Sequence, residues 1–150
     1  MKRRTFLRSS ACVFGGGVVG ISPVAAAESI VHECDVCVVG GSCTGVFAAV
    51  TAARLGVRVA LVEQDGFFGG VATAGLVNIW HSLFDQGGRQ QSIAGLTAEM
   101  VERLRQRDAL QGHIKGLLFL NPEVLKLELD KLVVEHEIRP FLHTMFAGPR

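Results

Sequence analysis

The residues best suited to chemistry fall between positions 34 and 77. Gly40-Gly41-Ser42-Cys43-Thr44-Gly45 follows directly on an apolar run, Cys34-Asp35-Val36-Cys37-Val38-Val39, and precedes a helical pattern from Val46 to Leu55. A helix N-terminus carries unpaired N–H groups and the positive end of the helix dipole, so a turn of small residues at that point suits a pyrophosphate. Gly40 permits the tight turn out of the strand, and Gly45 lets helix and strand approach closely. Glu63 stands 18 residues beyond Gly45, at the end of a second apolar run from Val57 to Val62. A carboxylate there accepts hydrogen bonds from a ribose diol and repels a 2′-phosphate. The middle position of this glycine fingerprint is Ser42. Serine is the mildest replacement for glycine, and its hydroxyl is a donor for a phosphate oxygen. The pattern predicts a dinucleotide site, the alternative being a turn of the same shape without a ligand.

These residues need a particular frame. Residues 34–39 predict a buried parallel strand, Val46–Leu55 a helix closed by Gly56, and Val57–Val62 a second strand, together a βαβ unit of nearly minimal length. Asn78–Asp85 is an apolar stretch carrying His81 and Asp85, and Gln86–Gln91 is a polar turn. Ile93–Asp108 predicts a helix with Leu96, Met100 and Leu104 inward and a Glu99–Arg103 pair on its surface. Asn121-Pro122-Glu123 has the signature of a helix start. Leu125, Leu129, Leu132, Val133 and His136 then share a face. Ile138–Phe146 predicts the third parallel strand, beside the second.

Cys34 and Cys37 form a C-x-x-C pair, but positions i and i+3 of a strand face opposite ways. They are expected to be small buried core residues, and no metal site is expected. Cys43 is expected to be a turn residue. Among the histidines, His81 is the first candidate for a catalytic group. His32 and His113 are expected to be solvated, and His136 and His143 to be structural.

The chain has 150 residues, 49% hydrophobic and 19% charged, which fits one folded domain and excludes a disordered chain. A net charge of +1 argues against nucleic acid as a partner. No run reaches the roughly 18 apolar residues of a membrane span. Four basic residues and no acids fall in residues 1–27, leaving the remainder mildly acidic. Lys2-Arg3-Arg4-Thr5-Phe6-Leu7-Arg8, the short apolar run Ala11–Ile21, Pro23 and Ala25-Ala26-Ala27 occur in the order of an export signal. The segment resembles a twin-arginine signal. That resemblance implies cleavage near Ala27, the twin-arginine translocase as a partner, and a periplasmic or extracellular mature protein of residues 28–150. It also implies export in the folded state, often with a cofactor bound.

Beyond Glu63 the chain reads Gln64-Asp65-Gly66-Phe67-Phe68-Gly69-Gly70-Val71-Ala72-Thr73-Ala74-Gly75-Leu76-Val77. An acid followed about six residues later by a glycine pair resembles two-dinucleotide-binding-domain flavoproteins. With Asp35–Ser42 and Ala53-Arg54-Leu55-Gly56, this segment resembles the bacterial FAD-dependent oxidoreductase family, related to the flavin subunit of heterodisulfide reductase. The resemblance implies an α/β fold with a Rossmann-like FAD/NAD(P)-binding βαβ unit and an incomplete parallel sheet. It implies FAD as cofactor, with contacts from Gly40, Ser42, Cys43, Thr44, Gly45, Glu63, Gln64, Gly69, Gly70, Ala72 and Thr73. Gly41 belongs to the same turn, and Phe146 matches a position near the adenine. A 4Fe–4S cluster is implied by family membership alone, with no ligand set in this chain. Family members are several times longer, so residues 28–150 are expected to be the N-terminal, FAD-binding portion of an oxidoreductase. The alternatives are a non-catalytic nucleotide-binding module and an inactive truncated fragment.

Overall fold

The computed structural model describes residues 31–114 and 116–148, and Glu33–Arg150 forms one compact unit. The signal expected over residues 1–27, with Cys12, lies outside the described residues. Strand β1 (Val36–Val39) leads through the glycine turn into helix α1 (Cys43–Arg54), which returns to strand β2 (Val59–Val62). The two strands are parallel and in register, Val36 opposite Val59 and Val39 opposite Val62. Helix α1 starts sharply because the Ser42 hydroxyl accepts the Gly45 N–H at 3.2 Å. It stops at Gly56, whose positive φ of 85° turns the chain out while its N–H reaches the Ala53 carbonyl at 2.9 Å.

After β2 come a single helical turn at Gly70–Ala72, strand β3 (Ile79–Trp80), helix α2 (Leu96–Arg105), strands β4 (Leu110–Ile114) and β5 (Leu117–Leu120), helix α3 (Pro122–Glu135) and strand β6 (Arg139–Phe141). Strand β6 adds to β2 in parallel, giving the order β1-β2-β6. A separate antiparallel sheet has the order β3-β5-β4. The core lies where α1 and α3 cover the parallel sheet: Val46, Ala49, Val50 and Leu61 meet Leu125, Leu129, Leu132 and Val133. Each leucine removed from water contributes about 2 kcal/mol. The inward face of α2 adds Met100 and Leu104, as its four-residue spacing predicts. This is an α/β, Rossmann-like, partial parallel-sheet fold.

Four expectations are corrected. The first strand begins at Val36, not residue 34, and is mostly exposed, Val39 to 52%. Among the described residues it lies at the edge of the sheet with one neighbour, so its apolar composition does not bury it. The third parallel strand ends at Phe141 rather than continuing to Phe146. Beyond it His143 takes a positive φ of 50°, and the chain turns across the end of β2. The helix expected from Ile93 starts at Leu96, because Gly95 stands at its cap with φ +64°. The hairpin of β4 and β5, turning at Gly116 with φ +80°, and its pairing with β3 had no counterpart in the sequence reading.

Candidate functional site

The glycine turn and Glu63 meet at the C-terminal end of the parallel sheet. Glu63 is 7% exposed. Its Oε2 accepts the Gly41 N–H at 2.6 Å and its Oε1 accepts the Asp65 N–H at 2.9 Å. Two amides therefore fix the orientation of the carboxylate at the mouth of the turn, while an acceptor lone pair remains on each oxygen. The mouth itself is open: a Cβ on Gly40 would meet nothing within 4 Å. Gly41 and Gly45 serve packing instead. A Cβ on Gly41 would lie 2.5 Å from Phe68 Cδ1, and one on Gly45 would lie 1.9 Å from the Gly40 carbonyl oxygen.

The loop beyond β2 is fastened to this turn. The Gly69 N–H donates to the Gly41 carbonyl at 2.8 Å, and Ser42 and Gly69 form a one-residue parallel bridge. The Cys43 thiol donates to the Gly69 carbonyl at 3.6 Å. After β6, the His143 N–H donates to the Asp65 carbonyl at 3.1 Å and the Thr144 N–H to the Glu63 carbonyl at 2.9 Å. This strap lays Thr144, Met145 and Phe146 beside Glu63.

Two cavities result, with Ser42 lining both. One, of about 300 Å³, is lined by Val39, Gly40, Ser42, Val62, Glu63, Gln64, Asp65, Gly70, Thr144, Met145 and Phe146. The other, of about 520 Å³, is lined by Ser42, Cys43, Thr44, Phe47, Gly69, Val71, Ala72, Val77, Ile79, Trp80 and Thr97. A larger cavity of about 840 Å³ between α2 and α3 has a different character. Its acids and bases neutralise one another: Glu128 pairs with Arg107 at 2.5 Å and Lys131 at 3.0 Å, and Arg103 pairs with Glu99 at 3.0 Å and Glu135 at 2.7 Å. It reads as an ion-pair network joining two helices rather than a binding site.

The structure thus gathers Gly40, Ser42, Glu63, Gln64, Gly70 and Phe146 around one cavity and Ser42, Cys43, Thr44, Gly69 and Ala72 around the other. Gly41, Gly45 and Thr73 line neither. His81 follows β3 and is exposed, outside both linings, although its neighbours Ile79 and Trp80 line the larger of the two. Sequence reasoning missed Asp65, Thr144 and Met145 in the first cavity and Phe47, Trp80 and Thr97 in the second. Trp80 carried a usable signal, as the single tryptophan just past the glycine-rich loop.

Burial pushes the Cys43 thiol up to about 11, so it is protonated at neutral pH and is no nucleophile. The C-x-x-C reading needs correction. The Asp35 and Val36 amides both donate to the Arg58 carbonyl, at 2.9 and 3.2 Å, which interrupts the strand alternation. Cys37 is exposed and Cys34 half-buried. The two thiols are neighbours: partial burial first, then the adjacent Cys34, pushes the Cys37 thiol up. Among the described residues no group of three or more His, Cys, Asp or Glu is arranged to hold a metal ion. His136 is fully engaged, its Nε2 accepting from Arg54 Nε at 2.9 Å and its Nδ1 lying 2.8 Å from the Leu132 carbonyl.

A family model described as "FAD dependent oxidoreductase" matches residues 35–150. No curated protein matches the chain. Among solved structures, THI4 of Thermovibrio ammonificans is similar at 21% identity and a TM-score of 0.50, over 73% of this chain and 38% of that one. A geranylgeranyl bacteriochlorophyll reductase-like protein of Thermoplasma acidophilum is similar at 16% identity and a TM-score of 0.48, over 77% of this chain and 31% of that one. The chain therefore spans well under half the length of these structures, and the likeness concerns the fold.

Proposed function

Because this chain belongs to the FAD-dependent oxidoreductase family, we propose that the two cavities meeting at Ser42 hold one FAD. The adenosine lies beside Glu63 and the flavin beside Trp80. The carrying observation is the Glu63 carboxylate, buried and fixed at the mouth of an open glycine turn. Its remaining lone pairs accept the ribose hydroxyls, and its charge repels a 2′-phosphate. Met145 and Phe146 offer apolar surface to the adenine. The amides of Cys43 and Thr44 precede the first intrahelical bond, from Val46 N–H to the Ser42 carbonyl, and so face the pyrophosphate. The Ser42 hydroxyl takes the Gly45 N–H on its oxygen, which leaves its own proton for a phosphate oxygen. Phe47, Val71, Val77 and Trp80 shield the ring system from water. The bound flavin supplies two-electron oxidation–reduction; the residues of this chain orient it.

The finer kinship, with the flavin subunit of heterodisulfide reductase, is supported by the stretch Gly69–Val77. Residues 1–27 would direct export of the folded protein through the twin-arginine route, which the Arg3-Arg4 pair supports. Replacing both by lysine should retain the protein in the cytoplasm; secretion unaffected by that change would refute this part.

Titrating the purified chain with FAD, ADP, FMN and NADP tests the cofactor. FAD and ADP should compete for one site, with NADP excluded. Absence of both FAD and ADP binding overturns the proposal. Binding of ADP without FAD favours the alternative of a non-catalytic nucleotide-binding module.

A further inference from the structure

Thr73 reaches neither cavity, yet it is 1% exposed and its side chain is fully employed. Its Oγ1 donates to the Phe68 carbonyl at 2.9 Å and lies 3.4 Å from the Gly70 carbonyl. Its own N–H returns to the Gly70 carbonyl at 3.1 Å. Its side chain also occupies the space beside Gly69, where a Cβ would come within 2.4 Å of Thr73 Cγ2. Seen from the other side, the same loop is pressed onto the glycine turn. Phe68 packs over Gly41, Gly69 donates to the Gly41 carbonyl, and a Cβ on Gly70 would lie 3.0 Å from Ser42 Cβ.

We infer that Thr73 is a positioning residue rather than a cofactor contact. Its hydroxyl gathers the Phe68 and Gly70 carbonyls from behind, so that Gly69 and Gly70 lie flat against Gly41 and Ser42. The loop backbone thereby becomes the floor that joins the two cavities. Gly69 belongs to one cavity and Gly70 to the other, so a shift of this pair displaces the point where a ligand passes from one into the other. The functional consequence rests on the FAD reading above. The geometric consequence does not.

The test uses the full chain and two substitutions. Thr73→Val keeps the shape and removes the hydroxyl; Thr73→Ser keeps the hydroxyl and removes the methyl. A lost hydrogen bond of ordinary strength corresponds to about a tenfold change. Hydrogen exchange at the Gly69 amide should therefore quicken about tenfold in T73V and stay near the parent rate in T73S, with no ligand present. FAD, which spans both cavities, should bind about tenfold more weakly to T73V, ADP should lose less, and T73S should restore both. Parent-like exchange at Gly69 in T73V overturns the inference, as does T73S behaving like T73V. If the parent chain binds no FAD, the cofactor reading fails by itself, and the exchange rates still decide the role of Thr73.

Discussion

The Glu63 carboxylate and the Gly41 amide, 22 positions apart, are joined by a 2.6 Å hydrogen bond that ties the end of β2 to the glycine turn. The bond fixes the turn and orients the acid at once. Glu63→Gln would set an amide NH2 against one of two backbone N–H donors, since both carboxylate oxygens already accept. Leaving a buried N–H unpaired costs about 1–3 kcal/mol. E63Q should lower the denaturation midpoint and weaken FAD binding about 10- to 100-fold. Calorimetric titration beside a urea melt measures both effects, and unchanged affinity would refute the assigned role.

Gly45 and Gly56 separate crowding from backbone strain. A Cβ on Gly45 would sit 1.9 Å from the Gly40 carbonyl oxygen, whereas one on Gly56 would meet nothing within 4 Å, although φ there is +85°. Gly56→Ala should cost about 1–2 kcal/mol from the left-handed conformation alone. Gly45→Ala should cost more, about 3 kcal/mol or above, because β1 and α1 must move apart. Paired thermal melts check the order; equal losses would mean that the close approach at Gly45 is of little consequence.

Cys43 should resist thiol reagents at neutral pH. With its thiol raised to about 11 by burial, roughly one molecule in a thousand carries the thiolate at pH 8. Its alkylation rate should climb about tenfold per pH unit and level off only near pH 11. Peptide mapping after timed alkylation measures this, and a plateau near pH 8 or 9 would contradict the burial assigned to it.

Asp35 should stay mostly ionised near pH 3, where an ordinary aspartate is largely protonated. Its hydrogen bonds from the Arg58 side chain and amide, with the guanidinium charge alongside, lower its carboxyl from 3.8 to about 2. A depressed folded value means that the pair stabilises the fold above about pH 4 and that this contribution disappears as pH falls toward 2. A carboxyl-carbon NMR titration should show the low midpoint in the parent and a return toward the ordinary value in Arg58→Ala.

Much of the site was readable one residue at a time. The turn residues 40–45, the acid at 63 and the glycine pair at 69–70 serve a helix start, a strand end and a tight loop, and such local demands appear directly in residue type and spacing. Asn121 is a similar case: its side chain accepts the Glu123 and Val124 amides at 3.0 and 3.3 Å, as expected of a helix cap before proline. Periodicity likewise placed Met100, Leu104, Leu125 and Leu129 in the core.

Apart from the start of α2, which the adjacent Gly95 sets, the misreadings share a cause: each concerned a partner distant in the chain. Strand β1 looked buried because its composition suits a two-neighbour strand, but its composition cannot supply the second neighbour. Cys34 and Cys37 looked divergent because alternation assumes regular pairing, and the shared Arg58 carbonyl interrupts it. Ile79 pairs with Phe119, forty positions later, and nothing local announces that.

The sequence by itself determined the βαβ unit, its glycine turn and the acid that serves it, because short-range sterics and hydrogen bonding select those residue types. Only the tertiary structure decided that the strap after β6 crosses beside Glu63, that Trp80 and Phe47 wall the second cavity, and that Thr73 turns inward beneath the loop. Those outcomes depend on long-range backbone pairing and on which space remains unfilled once the core has packed, and neither is encoded in the spacing of any single segment.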